Sequence, residues 1–174
     1  MLGEQFKHSF IYFIKLYILM SDKLSKLKSV LDKIGNFSMK TLADRIIFQK
    51  SIFILENMGI GLGYNFSYWL YGPYSSELAS DGFLLSDLGW AKEITTLNLK
   101  EESIIYNFKN LIRGHEVDPT FFELTSTFLY FKNLHPSKND IELFNLIIEK
   151  KPYLDNKDFF NEIIKKLKEE GLAQ

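Results

Sequence analysis

Few residues in this chain stand at spacings that could carry chemistry. The histidines His8, His115 and His135 lie far apart, and none has a partner at i+3 or i+4, where one helix would offer two ligands to a metal. Ser75-Ser76-Glu77 sets hydroxyls beside a carboxylate, but no histidine is near and the Gly-x-Ser-x-Gly elbow is absent, so helix capping is their expected role. The pairs Glu101-Glu102 and Glu169-Glu170 are adjacent, so on a helix they point apart and serve solubility. Gly59-Ile60-Gly61-Leu62-Gly63 precedes a strand pattern rather than a helix, which removes the dinucleotide reading and leaves a flexible turn. There is no Gly-x-x-x-x-Gly-Lys-Ser/Thr loop, and no cysteine to form a disulfide, a thiolate nucleophile or a cysteine-based metal site. The expectation is a protein with no catalytic residues, no metal and no cofactor, suited to a reducing, cytoplasmic setting. An enzyme would require a deep pocket lined by His115 or His135 with carboxylates.

Charge supplies a second kind of candidate. The 174 residues have a formal net charge of -1, yet residues 1–50 hold nine Lys/Arg against four acids and residues 51–130 hold four against ten. A basic third opposite an acidic middle can form an anion-binding face even on a nearly neutral molecule, although Lys-rich helices are also ordinary solvated faces. On the first reading Lys23, Lys26, Lys33, Lys40, Arg45 and Lys50 would contact the phosphates of DNA, a positioning interaction that weakens steeply with salt. No helix rich in Arg, Asn and Gln announces base readout. The helix start after Pro73 is a weaker anion candidate, because Glu77 would already occupy its dipole field.

These residues sit on elements that periodicity makes legible. Leu24, Leu27, Leu31 and Ile34 describe an amphipathic helix capped by Ser21 and closed by Gly35. A second helix runs from Lys40 or Thr41 to Met58, ends at Gly59, and is apolar nearly all round its centre, so it is expected at the core. Alternation from Tyr64 to Leu70 predicts a half-buried strand, with even-numbered aromatics on one side and Trp69 and Tyr71 on the other, stopped by Gly72-Pro73. Ser75 or Ser76 then caps a helix to Leu88, and residues 90–97 are a candidate returning strand. Helices follow at about Lys100–Ile112, at Pro119–Asn133 behind an Asp118 cap, from Ser137-x-x-Asp140 to Lys150, and from Asp155-x-x-Asp158 to Gly171. The fold class expected is mainly α with a small β element.

Residues 1–20 stand apart as an apolar N-terminal extension. Phe10 to Met20 is eleven residues long with Lys15 in its middle, too short for a membrane span, and Met20-Ser21-Asp22-Lys23 offers no small-x-small cleavage site. No membrane association is expected. Two readings stay open: a helix packed on the body or on a partner, or a segment upstream of a natural start at Met20.

The residues Arg45-x-x-Phe48-Gln49-Lys50-x-x-Phe53-x-Leu55-Glu56-x-x-Gly59, then Tyr64-x-Phe66 and Tyr71-Gly72-Pro73-Tyr74-Ser75-Ser76-Glu77-Leu78, resemble the YwgA-like family of small prokaryotic proteins. That family shows a Leu-Gln-Lys helix followed by a Tyr-Gly-Pro-Tyr-Ser turn; here Phe48 stands for the leucine. The stretch Glu123 to Tyr130 and the ending Lys151-Pro152 to Gly171-Leu172 are also similar, so the likeness covers residues 21–172 and makes 21–174 one YwgA-like domain. The family itself looks distantly similar to the Panacea or SocA-like antitoxin domain. The resemblance implies a helical domain with winged-helix-like features and regulatory or antitoxin roles, and it supplies no catalytic residues. The first functional expectation is therefore a non-enzymatic regulatory or antitoxin-like module that binds DNA through its basic N-terminal face, a protein such as a toxin, or both. The alternative is a protein-interaction or homodimerisation module built on the aromatic strand or the apolar N-terminal helix. Gln49-Lys50 and the turn from Tyr71 to Leu78 are either surface determinants or internal locks, Gln49 being able to hydrogen-bond across the core.

Overall fold

The computed structural model describes residues 22–35, 37–87 and 96–173. Among them the protein is mainly helical with one small sheet. The order is α1 (Asp22–Ile34), α2 (Leu42–Met58), β1 (Ser67–Trp69), β2 (Gly72–Tyr74), α3 (Ser76–Asp87), α4 (Leu99–Ile112), α5 (Pro119–Leu134), α6 (Asp140–Lys150), a 3-10 turn (Pro152–Leu154) and α7 (Lys157–Glu169). The N-terminal extension, Ser21 and residues 90–95 of the candidate strand 90–97 lie outside the described residues, and 96–97 are irregular. No helix among those described is long and apolar enough to cross a membrane.

Helix starts follow local chemistry. Thr41 caps α2, Asn98 caps α4 and Asn139 caps α6, each in a reciprocal box with the acid three residues on: Asp44, Glu101 and Glu142. Each box satisfies two otherwise orphaned N–H groups. Asp118 accepts from Thr120 and Phe121 and leads Pro119 into α5. Two starts differ from the sequence reading: Asn139 rather than Ser137 opens α6, and Asn156 rather than Asp155 opens α7. In both places a neighbouring Asn sits at the residue whose side chain reaches the N3 amide.

Helices α2 and α5 are the two central elements and make the most extensive contact with each other. Both are buried on nearly all sides, α5 from Phe121 through Leu129 without a break. The remaining elements pack round this pair: α4, α3 and β2 on α2, and β2, α6 and α7 on α5, with α1 against α4. Leu124, Phe128 and Phe48 meet in one continuous core that also takes in Leu27, Leu78, Phe108 and Ile163. Helix α3 approaches α2 so closely that a Cβ on Gly82 would lie 2.6 Å from the Phe48 ring.

The strand pattern needs one correction. Gly72-Pro73 does not stop a strand; it forms the second one. β1 turns through Leu70 and Tyr71 and pairs antiparallel with β2 in the register Ser67 with Tyr74, Tyr68 with Pro73 and Trp69 with Gly72. Pro73 is tolerated because the sheet has only two strands. The parity of the aromatics holds from Tyr64 through Trp69: Tyr64, Phe66 and Tyr68 turn inward and Trp69 outward. It fails at Leu70, which lies in the turn and is exposed.

Candidate functional site

The two motif segments meet face to face. Gln49 on α2 donates its Nε2 to the Ser75 carbonyl at 2.9 Å and accepts from the Ser75 N–H at 3.0 Å, reading that residue as a neighbouring strand would. Lys50 donates to the Pro73 carbonyl at 2.6 Å. Ser75 in turn accepts from Leu78 N–H and so caps α3, the role expected of the serines. Gly72 has φ +90 and a Cβ there would lie 2.6 Å from Thr127 Oγ1 on α5, so glycine alone fits. Gln49, Lys50 and Ser75 are buried, and the motif therefore locks the hairpin from inside.

A second tether joins Glu123 and Lys151, residues of the two later stretches of the family likeness to which no role was assigned. Lys151, which follows α6, donates to the Leu70 carbonyl and to Glu123 of α5, and the Tyr153 hydroxyl donates to the same Glu123 oxygen. Lys151 and Glu123 are both buried. The signal was present: Glu123 is the lone charged residue in the run from Phe121 to Phe131, and a carboxylate buried there needs a cation. Burial pushes the Lys50 ammonium down to about 7, with Glu123 acting to raise it and Lys151 to lower it. Burial also lowers Lys151, against the opposing pull of its Glu123 partner, and raises the Tyr153 phenol, which Glu123 raises further.

Outside the hairpin the chemistry reverses. A cleft of about 410 Å³ lies between the N-terminal half of α2, the outer side of the hairpin and α3. Its rim is formed by Leu42, Trp69, Leu70 and Phe83, which are 49%, 61%, 72% and 47% exposed. Ile46 and Ala79 extend the apolar wall inward, while Arg45, Gln49 and Lys50 supply its polar atoms. Neither His115 nor His135 lines it. His115 instead stacks on Phe121 at 4.4 Å and bonds Glu162 at 2.8 Å, joining the start of α5 to α7.

The six basic candidates do not share one open face. Lys23 pairs with Glu77 at 2.6 Å, bonds the Gly63 carbonyl and lies over the Tyr64 ring. Lys26 pairs with Glu101 at 2.6 Å and reaches the Gly61 carbonyl, and Lys33 pairs with Glu102 at 3.3 Å. Lys40 is exposed, Arg45 is half-buried with Nη1 on the Met39 and Lys40 carbonyls, and Lys50 is buried behind β2. The acidic middle of the chain thus meets the basic first third within the molecule. Of the motif residues, Phe48 is in the core, Tyr71 and Tyr74 border the cleft, and Ser76 and Glu77 begin α3. No group of acids and histidines able to hold a metal occurs among the described residues.

The fold and cleft define a mainly helical domain with a pinned hairpin and an exposed apolar groove. No protein-family model matches the chain, and no characterised protein or solved structure is significantly similar to it.

Proposed function

We propose that the protein is a non-enzymatic interaction module that binds a segment of a partner protein in the cleft between α2, α3 and the hairpin. The observation that carries this reading is the convergence of Leu42, Trp69, Leu70 and Phe83, all exposed, on one concave apolar surface. Exposed apolar side chains scattered singly are ordinary, whereas a set that rims a groove is the signature of a contact site. Trp69 has the character of an anchor, large and rigid, and its ring is tilted against Tyr74 at 5.8 Å. The buried tethers behind the hairpin support the same reading, because a preformed wall lowers the ordering cost of binding.

The winged-helix likeness and the regulatory or antitoxin role belong to this proposal, with β1–β2 read as the wing. The hairpin presents Trp69 and Leu70 where a DNA-binding wing would present cations. The DNA reading draws on the same N-terminal lysines, three of which are already matched to Glu77, Glu101 and Glu102. Panning a random peptide display library against the full chain tests the proposal. Recovered peptides should carry large apolar residues and lose binding to Trp69→Ser and Phe83→Ser proteins. Peptides indifferent to both substitutions, together with salt-sensitive binding of duplex DNA, would reject it.

A further inference from the structure

Resting on the reading that the cleft is a docking site, we infer that its occupant is a partner peptide carrying an acidic side chain beside its apolar anchors, with the carboxylate received by Arg45. The ionisable groups of the cleft are Arg45 and Lys50, with the Tyr71 and Tyr74 phenols, and no Asp or Glu lines it. This is unlike the surface round α1, where Lys23, Lys26 and Lys33 each find an acid from another element. Arg45 holds two backbone carbonyls through Nη1 alone and forms no ion pair among the described residues. A guanidinium carries five N–H donors in a fixed fork, and Nε and Nη2, with no partner among the described residues, are the donors offered to a ligand.

The neighbouring apolar wall strengthens such a contact. A charge-assisted hydrogen bond formed beside Leu42, Ile46 and Trp69 is shielded from water, and the same wall takes the apolar part of the ligand. Arg45 sets the positive potential of the cleft, because Lys50 is buried with its amine on the Pro73 carbonyl. A lysine-bearing or neutral segment of the same shape would leave that potential unanswered. Charge sign therefore selects among apolar segments that fit equally well.

The test takes a tryptophan- or leucine-containing peptide from the random library and compares it with its Glu→Gln and Glu→Lys versions on the full-length protein by fluorescence anisotropy. The acidic peptide should bind roughly 10- to 100-fold tighter than the amide version on wild type. On Arg45→Gln the two should bind alike, and on Arg45→Lys part of the preference should return. Equal binding of acid and amide on wild type needs no variant to interpret and overturns the inference while leaving the docking reading intact. Enrichment of basic peptides does the same. Displacement of the peptide by decanoate with the same Arg45 dependence would move the site to a small anionic amphiphile and overturn the peptide assignment. A dimer by light scattering that Trp69→Ser converts to monomer would put a second copy in the cleft and overturn it as well. Loss of every peptide's dependence on Trp69 would remove the docking reading itself.

Discussion

The two sides of the β1–β2 hairpin are built from opposite chemistry. Its inner side is a set of buried polar tethers: Gln49 on Ser75, Lys50 on Pro73, Lys151 on Leu70 and Glu123. Its outer side carries the exposed side chains of Trp69 and Leu70, and among the described residues the indole N–H bonds only Ser67 of the same hairpin. Buried polar side chains hold the hairpin backbone on one side, and apolar side chains stand in solvent on the other. That inversion of the usual arrangement fits a rigid platform whose outer face awaits a cover. It also means that inner-face substitutions should report on stability and outer-face substitutions on binding.

The largest break in that contrast is expected at Glu123. Glu123→Gln leaves the Lys151 ammonium buried without its counter-charge, and losing one partner of a buried ion pair costs about 3–5 kcal/mol. Urea unfolding of Glu123→Gln, Lys151→Met and the double variant should give a double variant more stable than the sum of the two losses implies. Additive losses would mean the pair is not coupled.

The next effect comes from pH. Lys50 titrates at about 7 in the folded protein, chiefly through burial, whereas an unfolded lysine titrates near the ordinary value of 10.5. Between those values the unfolded chain binds more protons, so stability rises with pH across the window. At about 1.4 kcal/mol per pKa unit the rise from pH 7 to 9.5 is on the order of 3 kcal/mol. Burial of Lys151 acts in the same direction, and stopping at 9.5 stays below about 10, where unfolded tyrosines ionise and the raised Tyr153 and Tyr64 phenols begin to lower stability. Unfolding midpoints measured along this series should climb for wild type and climb less for Lys50→Met. A flat wild-type series would mean that the Lys50 amine is not buried as described.

What the sequence disclosed follows the same division. Helices α2, α4 and α5 were legible because capping and 3.6-residue periodicity are local, and the serine cap of α3 was legible for the same reason. The Leu-Gln-Lys-like helix and the Tyr-Gly-Pro turn were visible as segments, but their mutual bonds, 23 and 26 residues apart in the chain, were not. Gly72-Pro73 read as a stop because proline lacks a donor; a two-stranded sheet asks for no donor there, which local pattern does not reveal. Net charge counts the lysines along the chain and does not show that those of α1 are matched in space by acids from α3 and α4. The cleft depends on where Leu42, Trp69 and Phe83 converge, and no spacing in the sequence brings those three together.

Gly72 sharpens the comparison because it belongs to the inner side by contact and to the cleft by position. Gly72→Ala adds a Cβ 2.6 Å from Thr127 Oγ1 at a backbone φ of +90, and a loss of about 2–3 kcal/mol is expected. In a Thr127→Ala background the steric part should disappear and the conformational part, about 1–2 kcal/mol, should persist. Equal losses in both backgrounds would show that α5 does not limit how closely β2 approaches.

The smallest stability effect is predicted where the largest binding effect lies. Trp69 is mostly exposed, and its described contacts are the indole bond to Ser67 at 3.1 Å and the ring of Tyr74, both within the hairpin. Trp69→Ser should therefore change the unfolding free energy by no more than about 0.5 kcal/mol. The same substitution should abolish binding of library-selected peptides. If Trp69→Ser instead unfolded the protein, the indole would be a core group and the outer face would have no free anchor. If it left both stability and peptide binding untouched, the rim would be ordinary surface. A change in binding alone separates the two sides of the hairpin, because a side chain that the fold does not use and a ligand does is what distinguishes a contact site from a core.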